Sequence, residues 1–368
     1  MALNHRHVHE GLRIFKHSLR RKLKGHRRYP GDANKICSQI VRDCWNGRFF
    51  QASAGHFSQF YCRDFGWCAD SLIKLGYEKE VEKTLDYALD IFRKSRKITT
   101  TITPSGKAVD IFSYSPDSLA FILRTLALLK SKRLAWKYES FLNDEIRKFS
   151  GIIEESGLVT KNRYFSSMKD YSKRKSSCYD NVMAFIANES LKKISTLENP
   201  LKNFDFKKII RQNFWTGQYF LDDLSGKDHI SGDANIFPFW AGAFGSKKMI
   251  KSAVAKIQEE KLDFPLPLKY TSENVKTKMN FQEIFVKNYE QNTIWAHMGP
   301  MFIEVVSKIN RAKAKEYLKG YKRVIENYGN FLEAFNSKLQ LYKTPFYHSD
   351  EGMLWASMYL NLAKNQKI

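Results

Sequence analysis

Apolar residues recur at three- and four-residue spacing in several separated runs of this chain. Leu119, Ile122, Leu123, Leu126 and Leu129 fall on one stripe, the spacing of a helix face. Val182, Phe185 and Ile186 repeat the pattern more briefly, as do Met353, Leu354, Met358 and Leu360. Ahead of such runs stands a short polar loop carrying an acid, and the combination returns about every 55–60 residues. The copies are Arg63-Asp64-Phe65-Gly66-Trp67, Ser115-Pro116-Asp117-Ser118-Leu119, Cys178-Tyr179-Asp180-Asn181-Val182, Ser231-Gly232-Asp233-Ala234-Asn235 and Ser349-Asp350-Glu351-Gly352-Met353. Asn292-Thr293-Ile294-Trp295 repeats the pattern with Asn in place of the acid. A fixed period implies one structural unit used several times, here a helical hairpin. Asp, Asn or Ser just before an apolar-periodic run reads as an N-cap, whose side chain accepts from an otherwise unpaired backbone N–H. Six hairpins closed into a ring would bring these starts to one mouth. The expected fold is therefore all-α, a six-hairpin toroid, with Asp64, Asp117, Asp180, Asp233 and Asp350 around a single cavity.

Nothing in the pattern supports a parallel α/β sheet, because strand-like alternation does not appear at regular intervals. Leu262–Leu268 is apolar but is broken by Pro265 and Pro267, and reads as a loop. At 368 residues the chain is long for one core, yet a closed helical ring forms a single large domain. A hydrophobic content of 43% supplies that core, and the aromatic content of 14% is high. The expected organisation is a basic arm or outer helix over residues 1–30, followed by the toroid over 31–368.

Charge adds a second theme. The net charge of +23 raises nucleic acid as a partner. Its densest part is the first 35 residues, with Arg20, Arg21, Lys22, Lys24, Arg27 and Arg28. There Leu12, Phe15, Leu19 and Leu23 are spaced as one face of a helix. This segment reads either as an arm for an anionic surface or as an outer helix with a solvated face. The remaining excess is mostly lysine in expected outer helices and loops. The five cysteines, Cys37, Cys44, Cys62, Cys68 and Cys178, show no metal-ligand spacing. No apolar leader opens the chain, and Leu119–Leu129 is too short to span a bilayer. A cytoplasmic protein with reduced thiols is expected. No phosphate-cradling Gly-Lys-Ser/Thr loop or dinucleotide glycine fingerprint is present in the sequence, and no cofactor or metal is expected.

Between Phe49 and Leu360 several segments, in order, resemble the six-hairpin (α/α)6 glycosidases, most closely the neutral/alkaline invertases and related α-glucosidases. Phe60-Tyr61-Cys62-Arg63-Asp64-Phe65 is similar to that family's Arg-Asp-Phe segment near the sugar site. Pro116-Asp117-Ser118 resembles its Val-Asp-Ser segment, which carries the general acid. Asn288-Tyr289-Glu290-Gln291-Asn292-Thr293-Ile294-Trp295 resembles an Asn-Gly-Gly-Xaa-Trp-Pro segment. Asn330-Phe331-Leu332-Glu333-Ala334-Phe335 is similar to the Trp-Pro-Glu-Tyr-Tyr segment carrying the general base. Leu354-Trp355-Ala356 resembles the closing helix. The resemblance implies an inverting hydrolase of an α-glycosidic bond, acting on an α-glucoside or short α-glucan, sucrose-like substrates included.

The residues suit that chemistry. Glycoside hydrolysis needs one protonated carboxyl for the leaving oxygen and one carboxylate for water or carbon. Asp117 is the expected acid and Glu333 the expected base, with Glu351 its rival or a sugar-hydroxyl ligand. Arg63 and Asp64 offer donors and acceptors to adjacent hydroxyls. Trp67, Trp240, Trp295 and Trp355 are placed to stack on sugar faces. Tyr179, Asp180, Asp233, Asn235, His297 and Asp350 are further candidate ligands. Two other readings stand beside this one. A sugar epimerase or isomerase would use His297 and His348 as proton carriers. A carbohydrate- or nucleic-acid-binding protein would have no catalytic role for these groups.

Overall fold

A computed structural model describes residues 5–272, 275 and 278–366. The described chain is built mainly of helices: α1 (His5–Lys24), α2 (Ala33–Cys44), α3 (Cys62–Lys74), α4 (Glu78–Ser95), α5 (Pro116–Leu129), α6 (Lys132–Lys137) and α7 (Glu139–Ser150). There follow α8 (Cys178–Leu191), α9 (Phe206–Phe214), α10 (Phe237–Trp240), α11 (Lys247–Glu259), α12 (Met298–Ser307), α13 (Arg311–Tyr328) and α14 (Ala356–Gln366). Strands are two residues long: β1 (Phe60–Tyr61), β2 (Thr101–Ile102) and β3 (Ala108–Val109) form one antiparallel sheet, and β4 (Ile294–Trp295) pairs with β5 (Ala334–Phe335).

Helix contacts run in a circuit. α3 packs on α5, α5 on α8, α8 on α10, α10 on α12, α12 on α14, and α14 returns to α3. The sequence explains which helices take this inner position. α8 is apolar or small over most of its length and is buried on nearly every side, as a helix enclosed by neighbours must be. α5 is buried from Pro116 through Leu123. The outer partners are amphipathic instead. α13 buries Ala314, Tyr317, Leu318, Tyr321 and Ile325 and turns its lysines outward. It packs on α12, while α9 packs on α8 and α4 on α3. Close approach between helices depends on glycine, within the circuit and between it and its outer partners. A Cβ on Gly66 of α3 would lie 2.3 Å from Phe121 Cβ of α5. One on Gly299 of α12 would lie 1.9 Å from the Tyr321 hydroxyl oxygen. Leu262–Leu268 is a loop.

The N-cap expectation needs correction. Asp64, Asp117 and Asp180 lie inside the first turns of α3, α5 and α8, not at the caps. Ser177 caps α8 by accepting from Asp180 N. Asp32, Asp205, Ser246 and Asn310 cap the outer helices α2, α9, α11 and α13. Acids within the first turn still meet the positive end of the helix, but their carboxyls are available to other partners.

α1 lies across one end of the ring. Arg13 donates to His56 O at 2.6 Å and Gln59 Oε1 at 2.5 Å. Arg21 pairs with Glu351, which also accepts from Arg27 N at 2.6 Å. The five cysteines are free and buried. Among the described residues no helix is long and apolar enough to cross a membrane.

Candidate active site

A cavity of about 400 Å³ opens beneath α1. Its chemistry comes from three places: the first turn of α3, the loop before α8, and the β4–β5 pair with the segments around it.

α3 begins where the extended Tyr61 turns into helix, and its first turn supplies Arg63 and Asp64. Asp64 lines the cavity and accepts from Trp355 Nε1 at 2.9 Å. Burial raises its pKa to about 7, against the lowering effects of Arg63 and Trp355. Arg63 bridges two carboxylates. Its Nε donates to Asp117 Oδ2 at 2.7 Å, and NH2 donates to Asp170 Oδ1 at 3.3 Å and Ser166 O at 3.2 Å.

Asp117 is fully buried and absent from the cavity wall. Beyond Arg63, its oxygens accept from Tyr179 Oη at 3.0 Å, Ser115 Oγ at 2.5 Å and Met168 N at 3.3 Å. The carboxyl that does reach the cavity on this side is Asp170, whose side chain keeps 22% exposure. It also accepts from Ser166 Oγ at 2.8 Å. Its loop is clamped by Glu290, whose carboxylate accepts from the backbone N–H groups of Asp170 (2.5 Å), Tyr171 (2.9 Å) and Ser172 (3.0 Å). Burial, then the neighbouring Asp170, push Glu290 up to about 8.

Glu333 sits just before β5, whose register sets Ala334 opposite Trp295 and Phe335 opposite Ile294. Its carboxylate faces the cavity and accepts from Tyr347 Oη at 2.7 and 2.9 Å, Asp350 N at 2.6 Å and, at 3.3 Å, Ser349 Oγ. Tyr289 Oη donates to it as well. Burial, then Asp350, raise its pKa to about 7, and the tyrosine and backbone donors hold it from rising further. A buried carboxyl with several donors and a pKa near neutrality is a poised proton acceptor.

The aromatic wall is equally ordered. Trp67 and His297 stack face to face, 4.4 Å between centroids and 2° between planes. Trp355 lies 4.8 Å and Trp295 5.2 Å from the same imidazole. Trp295 is fixed by its own Nε1, which donates to Tyr289 O at 2.7 Å. His297 is 1% exposed, and neither of its ring nitrogens has a hydrogen-bond partner among the described residues. Burial holds its pKa well below the usual imidazole range, so the ring is neutral. A neutral imidazole aimed into a cavity offers one donor and one acceptor to a ligand.

Several expected ligands lie off the cavity. Asp233 belongs to a buried ionic network in which Lys169 Nζ contacts Asp222 at 3.0 Å and Asp233 at 3.1 Å, while Arg174 contacts Asp233 at 2.9 Å. Asp180 accepts from Ser177 Oγ at 2.7 Å and from Ser167 Oγ. Tyr179 serves Asp117, and Asn235 is tied to Phe220 N and O. Trp240 lies under Arg124 beside a separate small cleft. Asp350 supports Glu333 through its backbone N–H, and its carboxylate accepts from His56 N at 2.8 Å and Phe57 N at 2.9 Å. Glu351 fastens Arg21 and Arg27. The common reason is that a closed ring buries these first turns, and a buried acid must find donors. Sequence reasoning missed Asp170, Glu290, Tyr289 and Tyr347. Tyr289 and Glu290 stood within a recognised segment, whereas Asp170 lies in an aperiodic loop with no helical signal.

Arg63, Asp64, Trp67, Trp295, His297, Glu333 and Trp355 do come together around the one cavity. The same architecture occurs in solved glycosidases. One, in complex with glucose, superposes with a TM-score of 0.66 at 10% identity, covering 100% of this chain and 99% of that one. A rhamnosidase from Klebsiella oxytoca with rhamnose bound gives 0.62 at 11% identity, over 93% of this chain and 66% of that one. A GH63 mannosylglycerate hydrolase from Thermus thermophilus, in complex with Tris and D-glycerate, gives 0.61 at 12% identity, over 90% and 100%. The chain shares the fold of these proteins. No protein-family model matches the chain, and neither does any curated protein sequence.

Proposed function

We propose that this protein is a glycoside hydrolase built as a closed (α/α)6 barrel, and that Glu333 activates water in its cavity. The observation that carries this is the setting of Glu333: a buried carboxylate facing the cavity, held by two tyrosine hydroxyls and a backbone N–H. It faces the same space as the indoles of Trp67, Trp295 and Trp355, surfaces suited to sugar rings.

The expected acid Asp117 is replaced in this proposal by Asp170. Asp117 is sealed under Arg63, where it serves as the counterion that holds the guanidinium. Asp170 takes the other side of that guanidinium and reaches the cavity. In the reaction Asp170 donates a proton to the departing oxygen, and Glu333 takes one from the attacking water, giving inversion. Asp64 and the neutral His297 hold sugar hydroxyls. An α-glucoside or short α-glucan remains the proposed substrate.

The epimerase reading is disfavoured by the placement of its second histidine. His348 is bonded to Ser349 O and does not line the cavity, so it does not pair with His297 across a substrate.

The test is reducing-sugar release over α- and β-linked glycosides, with NMR of the first product formed. An α-linked substrate is expected to give the β-anomer first. Glu333→Gln is expected to cut turnover by about 10²–10⁴-fold for every leaving group, the usual scale of acid–base catalysis. Asp170→Asn is expected to do so for poor leaving groups and less for good ones. Retained configuration would overturn the inverting mechanism. Full loss in Asp117→Asn with a normal Asp170→Asn enzyme would return the acid to Asp117.

A further inference from the structure

α1 is turned inside out. Its inward side presents Ile14, His17, Ser18 and Arg21, which are buried or half-buried. Leu12, Phe15, Leu19 and Leu23 lie on the opposite side and are 55%, 41%, 48% and 79% exposed. An ordinary surface helix hides its apolar stripe against the core. Here polar contacts dock the helix, through Arg13, Ser18, Arg21 and Lys22, and the stripe stands exposed. Lys16 and Arg20 run along one margin of that stripe and Lys22 along the other, all exposed. Residues 11–24 contain six lysines and arginines and no acid.

The stripe does not end with the helix. Lys22 Nζ donates to Pro345 O at 2.5 Å, next to Phe346. Thr344 Oγ1 donates to Phe285 O at 2.8 Å, and the Phe285 and Phe346 rings meet edge to face at 5.2 Å. Phe281, Ile284, Phe285 and Phe346 are 68%, 67%, 42% and 50% exposed. Phe15, Phe285 and Phe346 also line the cavity. One apolar rim, drawn from three separate segments and edged with lysine and arginine, therefore borders the cavity mouth.

We infer that this rim is a docking surface for an anionic lipid bilayer. An apolar stripe with basic margins is the form that lies in a bilayer interface, the apolar side chains entering the acyl boundary and the cations meeting anionic headgroups. The charge pattern selects this occupant. A second copy of α1 would bring cation against cation, and nucleic acid would leave the leucines and phenylalanines in water. Docking sets the cavity mouth against the membrane surface.

The experiment is co-sedimentation of the whole protein with vesicles of phosphatidylcholine alone and of phosphatidylcholine with phosphatidylserine, at low and high salt. Binding is expected to the anionic vesicles only, and to weaken as salt rises. Leu19→Gln with Leu23→Gln is expected to reduce it about tenfold or more, since each leucine contributes apolar area to the interface. Lys16→Gln with Arg20→Gln is expected to reduce it by a similar factor and to remove most of the salt dependence. All four positions are exposed, and unchanged circular dichroism and thermal midpoints will show that folding is intact. Several outcomes overturn the proposal: no vesicle binding at any salt, equal binding to neutral vesicles, or binding unchanged in both variants. A concentration-dependent dimer abolished by Leu19→Gln with Leu23→Gln assigns the stripe to self-association instead. RNA binding lost in Lys16→Gln with Arg20→Gln, without vesicle binding, assigns it to nucleic acid.

Discussion

A carboxyl with a pKa near 7 is about half ionised at neutral pH, and Glu333 is in that condition because burial and Asp350 outweigh its donors. As the proposed base it must be ionised. kcat/KM for the proposed hydrolysis is therefore expected to rise with pH through about 7, a limb belonging to the free enzyme. Tyr347→Phe removes a donor that favours the carboxylate form, so Glu333 should move up and the limb shift to higher pH. A pH–rate profile of the two proteins checks this. A merely structural tyrosine would lower the rate and leave the limb in place. The same scale explains why Asp117 stood out in the sequence and Asp170 did not. Asp117 stands at the start of a buried apolar helix because Arg63 needs a counterion there, and a counterion and a proton donor look alike in sequence. Asp170 is positioned by three backbone N–H bonds to a glutamate 120 residues away, a relation with no local signature.

Among elements, the contact of α3 with α5 depends most on one atom. Gly66→Ala would drive a methyl into Phe121, and helix backbones cannot yield by the distance required. A loss of about 1–3 kcal/mol is expected from overpacking, measured by denaturant midpoint, with Ser118→Ala on the neighbouring helix as a mild control. Because Arg63 and Asp64 precede Gly66 on α3, the displacement should also reach the cavity wall. The repeat of acid and apolar run announced the helix starts of α3, α5 and α8 well. It failed after Asp233, where only the four-residue α10 forms. There the signature is filled by a turn whose acid answers Lys169 and Arg174. Tryptophans were legible as cavity residues where the following helix closes on the centre, as with Trp67 and Trp355. Trp240 follows the same pattern yet stacks under Arg124 outside the cavity. Helical periodicity reports that a residue is inward, and not toward which space it points.

For the whole molecule, three cavity carboxyls share raised values: Asp64 and Glu333 at about 7 and Glu290 at about 8. The folded protein thus holds protons that the unfolded chain releases above its ordinary carboxylate range. Their contribution to stability is fully present below that range and is lost progressively as pH rises from it to about 7–8, levelling off above. Thermal midpoints should fall over this interval, and Glu290→Gln should flatten the fall, because a neutral amide carries no proton to lose. A midpoint that climbs steadily from pH 5 to 8 would contradict it. The circuit of helices closes between α14 and α3, and there Trp355 bonds Asp64 and lies against His297. During synthesis, Asp64 leaves the ribosome 291 residues before Trp355, the neighbour that completes its wall. Until Trp355 has emerged the nascent helices can form only an open arc, and the cavity cannot close before then.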